Sequence, residues 1–441
     1  MEVKTLESLC LKITDGAHHS PKEFQGGIPM FSVKDMTDHG FDKSSVKTIS
    51  KEDYKKLKGS GCEPKDNDVL IAKDGSVMKH VFRYKHYEDC ALLSSIAILR
   101  PNMEIIDPDY LVYSILNPKV KGNIINNYVS GSGVPRIVLK DFKKIEIKVP
   151  EIRIQKASSK ILNQINSKIE LNNKMNQTHE EIAKTLFKSW FIDFDPVRAK
   201  AEGRPTGLSK EISDLFPDSF EDSELGKIPK SWQITNLDAL TSKFTTGLNP
   251  RKNFVLGSGE NFYVTIKNLG DFDVVLDEKC DKVDNDAIKK INSRSDLKKD
   301  DILFSGIGTI GKVAYVFSEP KNWNISESVF SLRANSEITY PSFLYQLLKS
   351  YPLQGYVDAL ASGSVQRGIR MGSLKEYKFS LSNFEVQKKF NEIISPLIEK
   401  ISINLKETRN LIFIRDILLP KLISGELRIP DAEKLVEEIG I

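Results

Sequence analysis

The chain contains one glycine-rich stretch whose spacing could cradle the phosphates of a nucleotide. Residues 305–311 read SGIGTIG and include the pattern G-x-G-x-x-G, with Glu327 downstream. This pattern binds a dinucleotide when its last glycine opens a helix, because the pyrophosphate sits at the helix N-terminus. Residues 312–317 read KVAYVF, which predicts a strand instead, so we interpret the stretch as a loop between two strands. Its polar side chains, with the lysine that follows it, are Ser305, Thr309 and Lys312.

The histidines and the paired aspartates do not indicate a catalytic or metal site. No cysteine or carboxylate set at ligand spacing accompanies the histidine pairs at 18–19 and 80/86, and the second half of the chain has no histidine. A place for the first pair in a recognition loop stays open. Asp193 and Asp195 stand beside Pro196 at the end of a predicted helix, which favours capping and turn formation. We expect no bound metal and no catalytic residue.

The sequence also lacks the motifs of DNA-modifying enzymes. The amino-methyltransferase motif Asn-Pro-Pro-aromatic fails at its third residue in both candidates, 117–119 (NPK) and 249–251 (NPR). No G-x-x-x-x-G-K-(S/T) phosphate loop and no nucleophile elbow is present. A chain of this kind would have to obtain any chemistry from partner proteins.

Composition places the chain among ordinary globular proteins. With 441 residues, two or three domains are expected. The 64 basic residues nearly balance the 60 acidic ones, which permits a nucleic-acid partner without requiring one. Four scattered cysteines form no Cys-x-x-Cys pair, so a reducing cytoplasm is expected. We find neither a signal peptide nor an apolar run near the roughly 20 residues that span a bilayer.

The two halves of the chain repeat one another at a near-constant offset. Residues 130–137 (SGSGVPRI) parallel residues 362–369 (SGSVQRGI), 232 positions later. Residues 69–77 likewise match residues 302–310, and each copy then leads to a glutamine, Gln155 or Gln387. Because the offset holds over residues 1–190 and 232–422, we interpret the chain as an internal duplication.

The repeated loops are the strongest candidates for contact with DNA. Small residues let the backbone approach phosphate, Arg can bind guanine through two hydrogen bonds, and Gln can do so with adenine. The alternative, that the loops repeat because they are structural turns, is equally open. In the first copy the candidate DNA contacts are Lys34, Lys73, Ser76, Ser130, Gly131, Ser132 and Arg136. In the second copy they are Lys267, Asn268, Ser305, Thr309, Lys312, Ser362, Ser364, Gln366, Arg367 and Arg370.

Each half is predicted to be rich in β-strand and to be followed by a long polar helix. Short helices are expected near residues 109–117 and 341–350. Three-four spacing of apolar residues along the long helices predicts a coiled coil, most simply an antiparallel pair. The predicted seam is Ile154, Ile161, Ile165, Ile169, Asn172, Met175, His179, Ile182 and Leu186 in the first helix. In the second it is Phe390, Ile394, Leu397, Ile401, Leu405, Thr408, Ile412, Arg415, Leu419 and Leu422.

These observations predict an α+β fold with an approximate two-fold relation between its halves. Two β-rich domains would be separated by the antiparallel helices, each a rod of about 57 Å at 1.5 Å per residue. The predicted segments are a first domain at 1–150, a helix at 151–195, a connector at 196–231, a second domain at 232–384, a second helix at 385–425 and a tail at 426–441.

Three stretches carry a resemblance to a known family: residues 186–200 (LFKSWFIDFDPVRAK), 224–232 (ELGKIPKSW) and 419–427 (LPKLISGEL). With them, the chain resembles the specificity (S) subunit of type I restriction-modification systems over nearly its whole length. The resemblance implies two target-recognition domains, each reading one half of a split DNA site. It also implies spacer helices that set the gap and dock modification subunits. The candidate partner contacts are Trp190, Phe191 and Phe194, for which an ordinary core role at the helix end is equally open.

The function expected from this resemblance is non-catalytic, sequence-specific recognition of an asymmetric, bipartite site in double-stranded DNA. Two modification subunits would use S-adenosylmethionine to methylate adenine, and restriction subunits would use ATP and Mg²⁺; this chain would carry no cofactor. Two alternatives remain open from the residues: a self-sufficient DNA-modifying enzyme, and a coiled-coil scaffold with no role in DNA recognition.

Overall fold

The computed structural model describes residues 1–86, 88–131, 133–361 and 367–438. They divide into two compact units. The first unit is Met1–Leu171 with Glu407–Ile441, and the second is Asn172–Lys406. Each unit therefore contains one copy of the repeat and a part of each long helix.

Within the described residues, the first copy is a series of short strands and short helices, including the single turn Val33–Asp35, that precedes the first long helix. Its strands are β1 (Glu2–Thr5), β2 (Cys10–Asp15), β3 (Ile28–Phe31), β4 (Lys47–Ile49), β5 (Val69–Ala72), β6 (Val81–Arg83), β7 (Ala91–Leu92), β8 (Ile96–Pro101) and β9 (Glu146–Val149). Its helices are α1 (Leu6–Leu9), α2 (Lys51–Gly59), α3 (Pro108–Leu116), α4 (Pro118–Tyr128), α5 (Leu139–Phe142) and then the long α6 (Ile152–Phe191).

A connector and the second copy follow. The connector holds α7 (Asp195–Ala201), α8 (Lys210–Ser213), β10 (Phe220–Ser223) and β11 (Gly226–Pro229). The strands of the second copy are β12 (Gln233–Asn236), β13 (Thr241–Thr246), β14 (Asn261–Val264), β15 (Asp281–Val283), β16 (Ile302–Ser305), β17 (Val313–Tyr315), β18 (Trp323–Ile325), β19 (Val329–Ala334) and β20 (Lys378–Leu381). Its helices are α9 (Asn285–Ser295), α10 (Pro341–Lys349), α11 (Tyr351–Leu360) and α12 (Met371–Lys375), before the long α13 (Phe384–Ser424) and the final α14 (Ile429–Glu438).

The sheets confirm the internal duplication. A four-stranded sheet has the order β2-β8-β5-β6 in the first copy and β13-β19-β16-β17 in the second. The three-stranded sheets β4-β3-β7 and β15-β14-β18 correspond in the same way, as do the pairs β1-β9 and β12-β20. The predicted short helices are confirmed as α3 and α10, whereas α2, α4, α9 and α11 were not predicted.

The same arginine–aspartate pair braces the four-stranded sheet in both copies. Arg100 on β8 donates to both carboxylate oxygens of Asp68, which precedes β5. Arg333 on β19 donates to both oxygens of Asp301, which precedes β16. Both aspartates are buried, so each guanidinium neutralises a carboxylate that would otherwise lie unpaired in the core.

One glutamine in each copy anchors the long helix to the rest of that copy. Gln155 on α6 accepts from the Asp107 N–H at 2.8 Å and donates to the carbonyls of Ile105 and Pro150. Gln387 on α13 accepts from the Thr339 hydroxyl at 2.8 Å and donates to two carbonyls of its own unit. The repeated glutamines therefore hold the start of each long helix against the loop that precedes α3 in the first copy and α10 in the second.

The long helices pack side by side and in opposite directions. In the first unit, Arg415 on α13 donates to the Asn166 amide oxygen at 3.3 Å, and Lys168 lies 3.4 Å from the Glu407 carboxylate. In the second unit, the buried Asn404 donates to Asn176 at 2.9 Å. In the second unit the Phe187 ring also packs on Phe390. In each unit the α13 residue number therefore falls as the α6 number rises, which confirms the antiparallel arrangement.

The buried seam differs from the predicted one beyond Asn172. The side chains that α6 buries there are Asn176, Glu180, Ala183, Phe187, Trp190 and Phe191. The predicted Met175 and Ile182 are instead 36% and 46% exposed. Residues that repeat strictly every seven positions drift around a straight helix by about 20° per heptad. The buried face of α6 instead follows the 3.6-residue period of the helix, so it leaves the predicted positions. For the same reason α13 buries Leu411, and the predicted Ile412 is exposed.

Among the described residues, no helix has the length and apolar character needed to cross a bilayer.

Candidate nucleic-acid interface

In the first unit, the loop from β5 to β6 lies against the segment before α5. The Gly75 N–H donates to the Pro135 carbonyl at 2.8 Å, and the Ile137 N–H donates to the Lys73 carbonyl at 3.0 Å. Between these bonds, Asp74 and Arg136 form an antiparallel bridge. We call residues 73–80, 130, 131 and 133–137 the first loop frame.

The second unit contains the same arrangement between the β16–β17 loop and the segment before α12. The Gly308 N–H donates to the Arg367 carbonyl at 2.8 Å, and the Ile369 N–H donates to the Gly306 carbonyl at 2.9 Å. Ile307 and Gly368 form the antiparallel bridge. We call residues 305–312 and 367–370 the second loop frame. A strand follows this glycine-rich loop, as predicted, so it is not a dinucleotide fingerprint.

The two frames share a backbone and differ in side chains. Where the first has Asp74 opposite Arg136, the second has Ile307 opposite Gly368. Residues directly opposed in an antiparallel pair project to the same face. The first frame therefore has an acidic residue opposite a basic one, and the second has an apolar residue opposite a glycine. Arg367 corresponds to Pro135 and not to Arg136, because both carbonyls accept the equivalent glycine N–H.

Lys34 and Lys267 occupy matching single-turn helices next to the frames. Each turn begins with a reciprocal cap, between Ser32 and Asp35 in the first unit and between Thr265 and Asn268 in the second. Both lysines are exposed on these rigid turns. Their contact with DNA stays a prediction from the sequence.

Four predicted DNA contacts are engaged inside the loops. Lys73 is buried between two carboxylates, and the buried Ser305 hydroxyl donates to the Thr309 carbonyl at 2.6 Å. Asn268 is the buried cap described above, and the Lys312 ammonium donates to the Leu269 carbonyl at 3.1 Å. The structure gives these four side chains a role in shaping the loops, which is the structural alternative left open by the sequence.

The other candidates are accessible or lie outside the described residues. Arg367 is exposed and its guanidinium lies 3.6 Å from the Asp358 carboxylate. The remaining exposed candidates are Lys34, Ser76, Ser130, Gly131, Arg136, Lys267, Thr309 and Arg370. The candidates outside the described residues are Ser132, Ser362, Ser364 and Gln366.

The sequence did not predict the partners of two acidic residues near the frames, Asp15 and Glu327. In the first unit, the Lys73 ammonium lies 3.3 Å from the buried Asp15 carboxylate and 3.1 Å from Asp74. In the second, Glu327 accepts from the Asn249 amide at 2.7 Å and from the Tyr263 hydroxyl at 3.0 Å. Burial, with Glu327 nearby, raises the pKa of Tyr263, which stays a neutral hydrogen-bond donor. Long separations in sequence hide both clusters, and only strand pairing brings them together.

The aromatic end of α6 belongs to the core of the second unit. Trp190 is 1% and Phe191 6% exposed, and both rings pack on Phe390 of α13. Partner contact through these two side chains, as predicted, would require accessible rings, so the structure assigns them a core role instead. Phe194 is partly exposed and packs edge-on against Trp232.

The described residues contain no group of three or more histidine, cysteine, aspartate or glutamate side chains that could hold a metal ion. Asp195 opens α7 beside Pro196, and the Asp193 carboxylate pairs with Lys188. Both aspartates lie at the turn after α6, as predicted, but within the described part of the chain α7 has no side-chain cap, so the predicted capping is wrong.

Comparisons with known proteins all indicate the same protein family. A family model described as "Type I restriction modification DNA specificity domain" matches residues 1–181 and 229–412. The chain is 25% identical over 391 residues to the type I restriction enzyme HindI specificity subunit of Haemophilus influenzae, covering 79% of this chain and 84% of that protein. It is 26% identical over 324 residues to the MjaIX specificity subunit of Methanocaldococcus jannaschii, covering 73% and 70%.

A solved structure shares the fold. The S subunit of a type I restriction-modification system from M. genitalium aligns with a TM-score of 0.56 over 96% of this chain and 95% of that one. The sequence identity is 18%, so this likeness bears on the fold alone.

Proposed function

Because this chain belongs to the specificity-subunit family of type I restriction-modification systems, we propose that it is the non-catalytic DNA-recognition subunit of such a complex. Each copy of the repeat acts as a target-recognition domain and binds one half of a bipartite site in double-stranded DNA. The modification subunits, directed by this chain, transfer a methyl group to adenine in that site.

The observation that carries this proposal is the pair of loop frames. They repeat the same backbone hydrogen bonds, which supports two domains that approach DNA in the same manner. Their bridge residues differ, Asp74 and Arg136 against Ile307 and Gly368. Base identity is read through side-chain hydrogen bonds and apolar contacts. Two like frames with unlike side chains therefore support two different half-sites, and hence an asymmetric target.

Affinity would come from the exposed basic residues around the frames. Lys34 and Lys267 stand on capped turns, and Arg370 is exposed at the start of α12. Lysine and arginine that neutralise phosphates release condensed counterions, so binding weakens as salt rises. These residues position the domain on the duplex and carry no base information by themselves.

The chemistry is proposed to belong to partner subunits. Two modification subunits would supply S-adenosylmethionine and the methyl transfer, and restriction subunits, where present, would supply ATP-driven translocation and cleavage with Mg²⁺. The sequence of this chain offers no methyltransferase motif and no phosphate loop for those reactions.

The deciding experiment is co-expression of this chain with its cognate modification subunit in a host without adenine methyltransferases. Long-read sequencing of the host DNA should then detect methyladenine at one asymmetric, bipartite motif. Strains that express either protein alone serve as controls and should show none. Absence of a motif from the assembled complex contradicts the proposal, and methylation by this chain alone would identify it as an enzyme.

A further inference from the structure

Asp74 is an acidic side chain on the loop frame proposed to face DNA. Its side chain is 27% exposed, and its carboxylate oxygens lie 3.3 and 3.1 Å from the Lys73 ammonium. A carboxylate close to phosphates opposes binding, because affinity for DNA rests on neutralising those charges. An acidic side chain at this place can therefore favour DNA binding mainly by accepting a hydrogen bond from the edge of a base.

Lys73 holds this carboxylate in position. The lysine side chain is 9% exposed and lies between Asp74 and Asp15, whose carboxylate is 3.3 Å away. Asp15 also lies 3.3 Å from the His18 ring. The Lys73 backbone is fixed as well, because its N–H donates to the Ser95 carbonyl at 3.0 Å. A carboxylate has about four lone-pair sites, so Asp74 can accept from Lys73 and from a second donor at once.

Arg136 stands directly opposite Asp74 and is available for another partner. Among the described residues, it is exposed and forms no ion pair. Opposed side chains in an antiparallel pair have Cβ atoms about 5 Å apart. Successive base pairs are about 3.4 Å apart, so the two side chains can address one base pair or two neighbouring ones.

We propose that Asp74 and Arg136 together recognise a G·C pair in the first half-site, with Lys73 as the residue that positions Asp74; this rests on the proposed function. Arg136 donates to O6 and N7 of guanine, and Asp74 accepts from the N4 amino group of cytosine in the major groove. The second loop frame cannot do the same, because Ile307 and Gly368 occupy the equivalent places. The G·C requirement is therefore specific to the domain formed by the first copy.

The test is the methylation motif of the assembled complex with Asp74→Ala and Asp74→Asn. Asp74→Ala should make a single base pair of one half-site degenerate and leave the other half-site unchanged. Asp74→Asn, which is nearly isosteric, should admit adenine at that position, because an amide pairs with adenine N6 and N7. Arg136→Ala should relax the same base pair, and relaxation of a different base pair would contradict joint recognition of one G·C pair.

Two control variants separate base recognition from a structural role. Asp15→Asn removes the other carboxylate at Lys73, and Ile307→Ala changes the equivalent position of the second frame. Neither should alter the G·C requirement. If Asp15→Asn relaxes the motif as Asp74→Ala does, the Asp74 carboxylate has only a structural role and the proposal is wrong. An unchanged motif with both Asp74 variants also overturns it.

A variant complex that assembles without methylating is tested by competition binding. Duplexes carrying each of the four base pairs at the affected position should be bound equally by the Asp74→Ala complex and unequally by the unaltered one. Equal discrimination by both complexes overturns the proposal. Failure of the unaltered complex to methylate any bipartite motif would instead contradict the proposed function, which keeps the two outcomes distinct.

Discussion

Arg100 holds the Asp68 carboxylate through two hydrogen bonds, from Nε to Oδ1 at 2.8 Å and from Nη2 to Oδ2 at 2.7 Å. Asp68 is 1% exposed, and its hydrogen bonds with Arg100 raise the pKa of that guanidinium. Arg333 and Asp301 repeat this pairing in the second unit. Each pair ties the strand that leads into a loop frame to the neighbouring strand.

Replacing Arg100 by Gln should therefore destabilise the first unit. The substitution leaves Asp68 as an uncompensated buried carboxylate, and removal of one partner from a buried pair costs about 3 kcal/mol or more. Urea unfolding monitored by circular dichroism measures this loss. Arg333→Gln should produce a loss of similar size, whereas Arg153→Gln, at an exposed position of α6, should change nothing measurable. Equal stability of all three variants would contradict the role assigned to the pairs.

Gly306→Ala should destabilise the second loop frame. A Cβ at this position would lie 2.4 Å from the Phe330 ring, which is buried in the core of the second unit. Overpacking of this kind typically costs about 1–3 kcal/mol. The matched control is Gly355→Ala in α11, where no atom lies within 4 Å of the added Cβ and alanine should stabilise the helix by about 1 kcal/mol. Thermal unfolding of the two variants should shift in opposite directions.

Lys34→Ala and Lys267→Ala should weaken DNA binding of the assembled complex for target and non-target duplexes alike. Each lysine on its capped turn is proposed to neutralise one phosphate, so the slope of log affinity against log salt should fall by about 1. Fluorescence anisotropy at several KCl concentrations measures the slope. Lys227→Ala, in the connector hairpin, is the control and should leave the slope unchanged. A loss confined to the target duplex would show that these lysines contact bases.

Two thiols with raised pKa values, one buried and one partly buried, should make stability fall in alkaline solution. Burial raises the pKa of Cys90 to about 11 and, helped by Asp68, that of Cys10 to about 12, from a usual value of 9.0. A raised pKa of an acidic group contributes stability that is fully present below pH 9 and is lost as pH rises through the folded-state value. The unfolding midpoint should therefore decline between pH 9 and about 11.

The comparison is with Cys10→Ala/Cys90→Ala. This double variant should show a shallower decline over the same range, because its unfolded state has two fewer thiols to ionise. Ellman's reagent should also react slowly with the unaltered native chain at pH 8 and rapidly after urea unfolding. Parallel declines for the two proteins would assign the alkaline loss to other groups, such as the buried tyrosines.

Much of the architecture was predictable because it depends on residue patterns within short segments. The duplication follows from matched loops such as 130–137 and 362–369, and α3 and α10 follow from apolar spacing within nine or so residues. The phase of α6 was predictable only as far as Asn172. Met175 and Ile182 fit a seven-residue pattern, but the observed buried face keeps the helix's own period and selects Asn176 and Ala183.

The sequence by itself determined that two similar domains are joined by two long helices and that their loops carry the candidate contacts. Only the tertiary structure decided which candidate side chains are accessible: it buries Lys73, Asn268 and Ser305 within the loops and Trp190 and Phe191 in the core. It also places Asp74 opposite Arg136, two residues 62 positions apart in the chain. The physical reason is that periodicity records whether a local segment buries a face, whereas pairing between distant segments depends on strand register and on charges that meet only after folding.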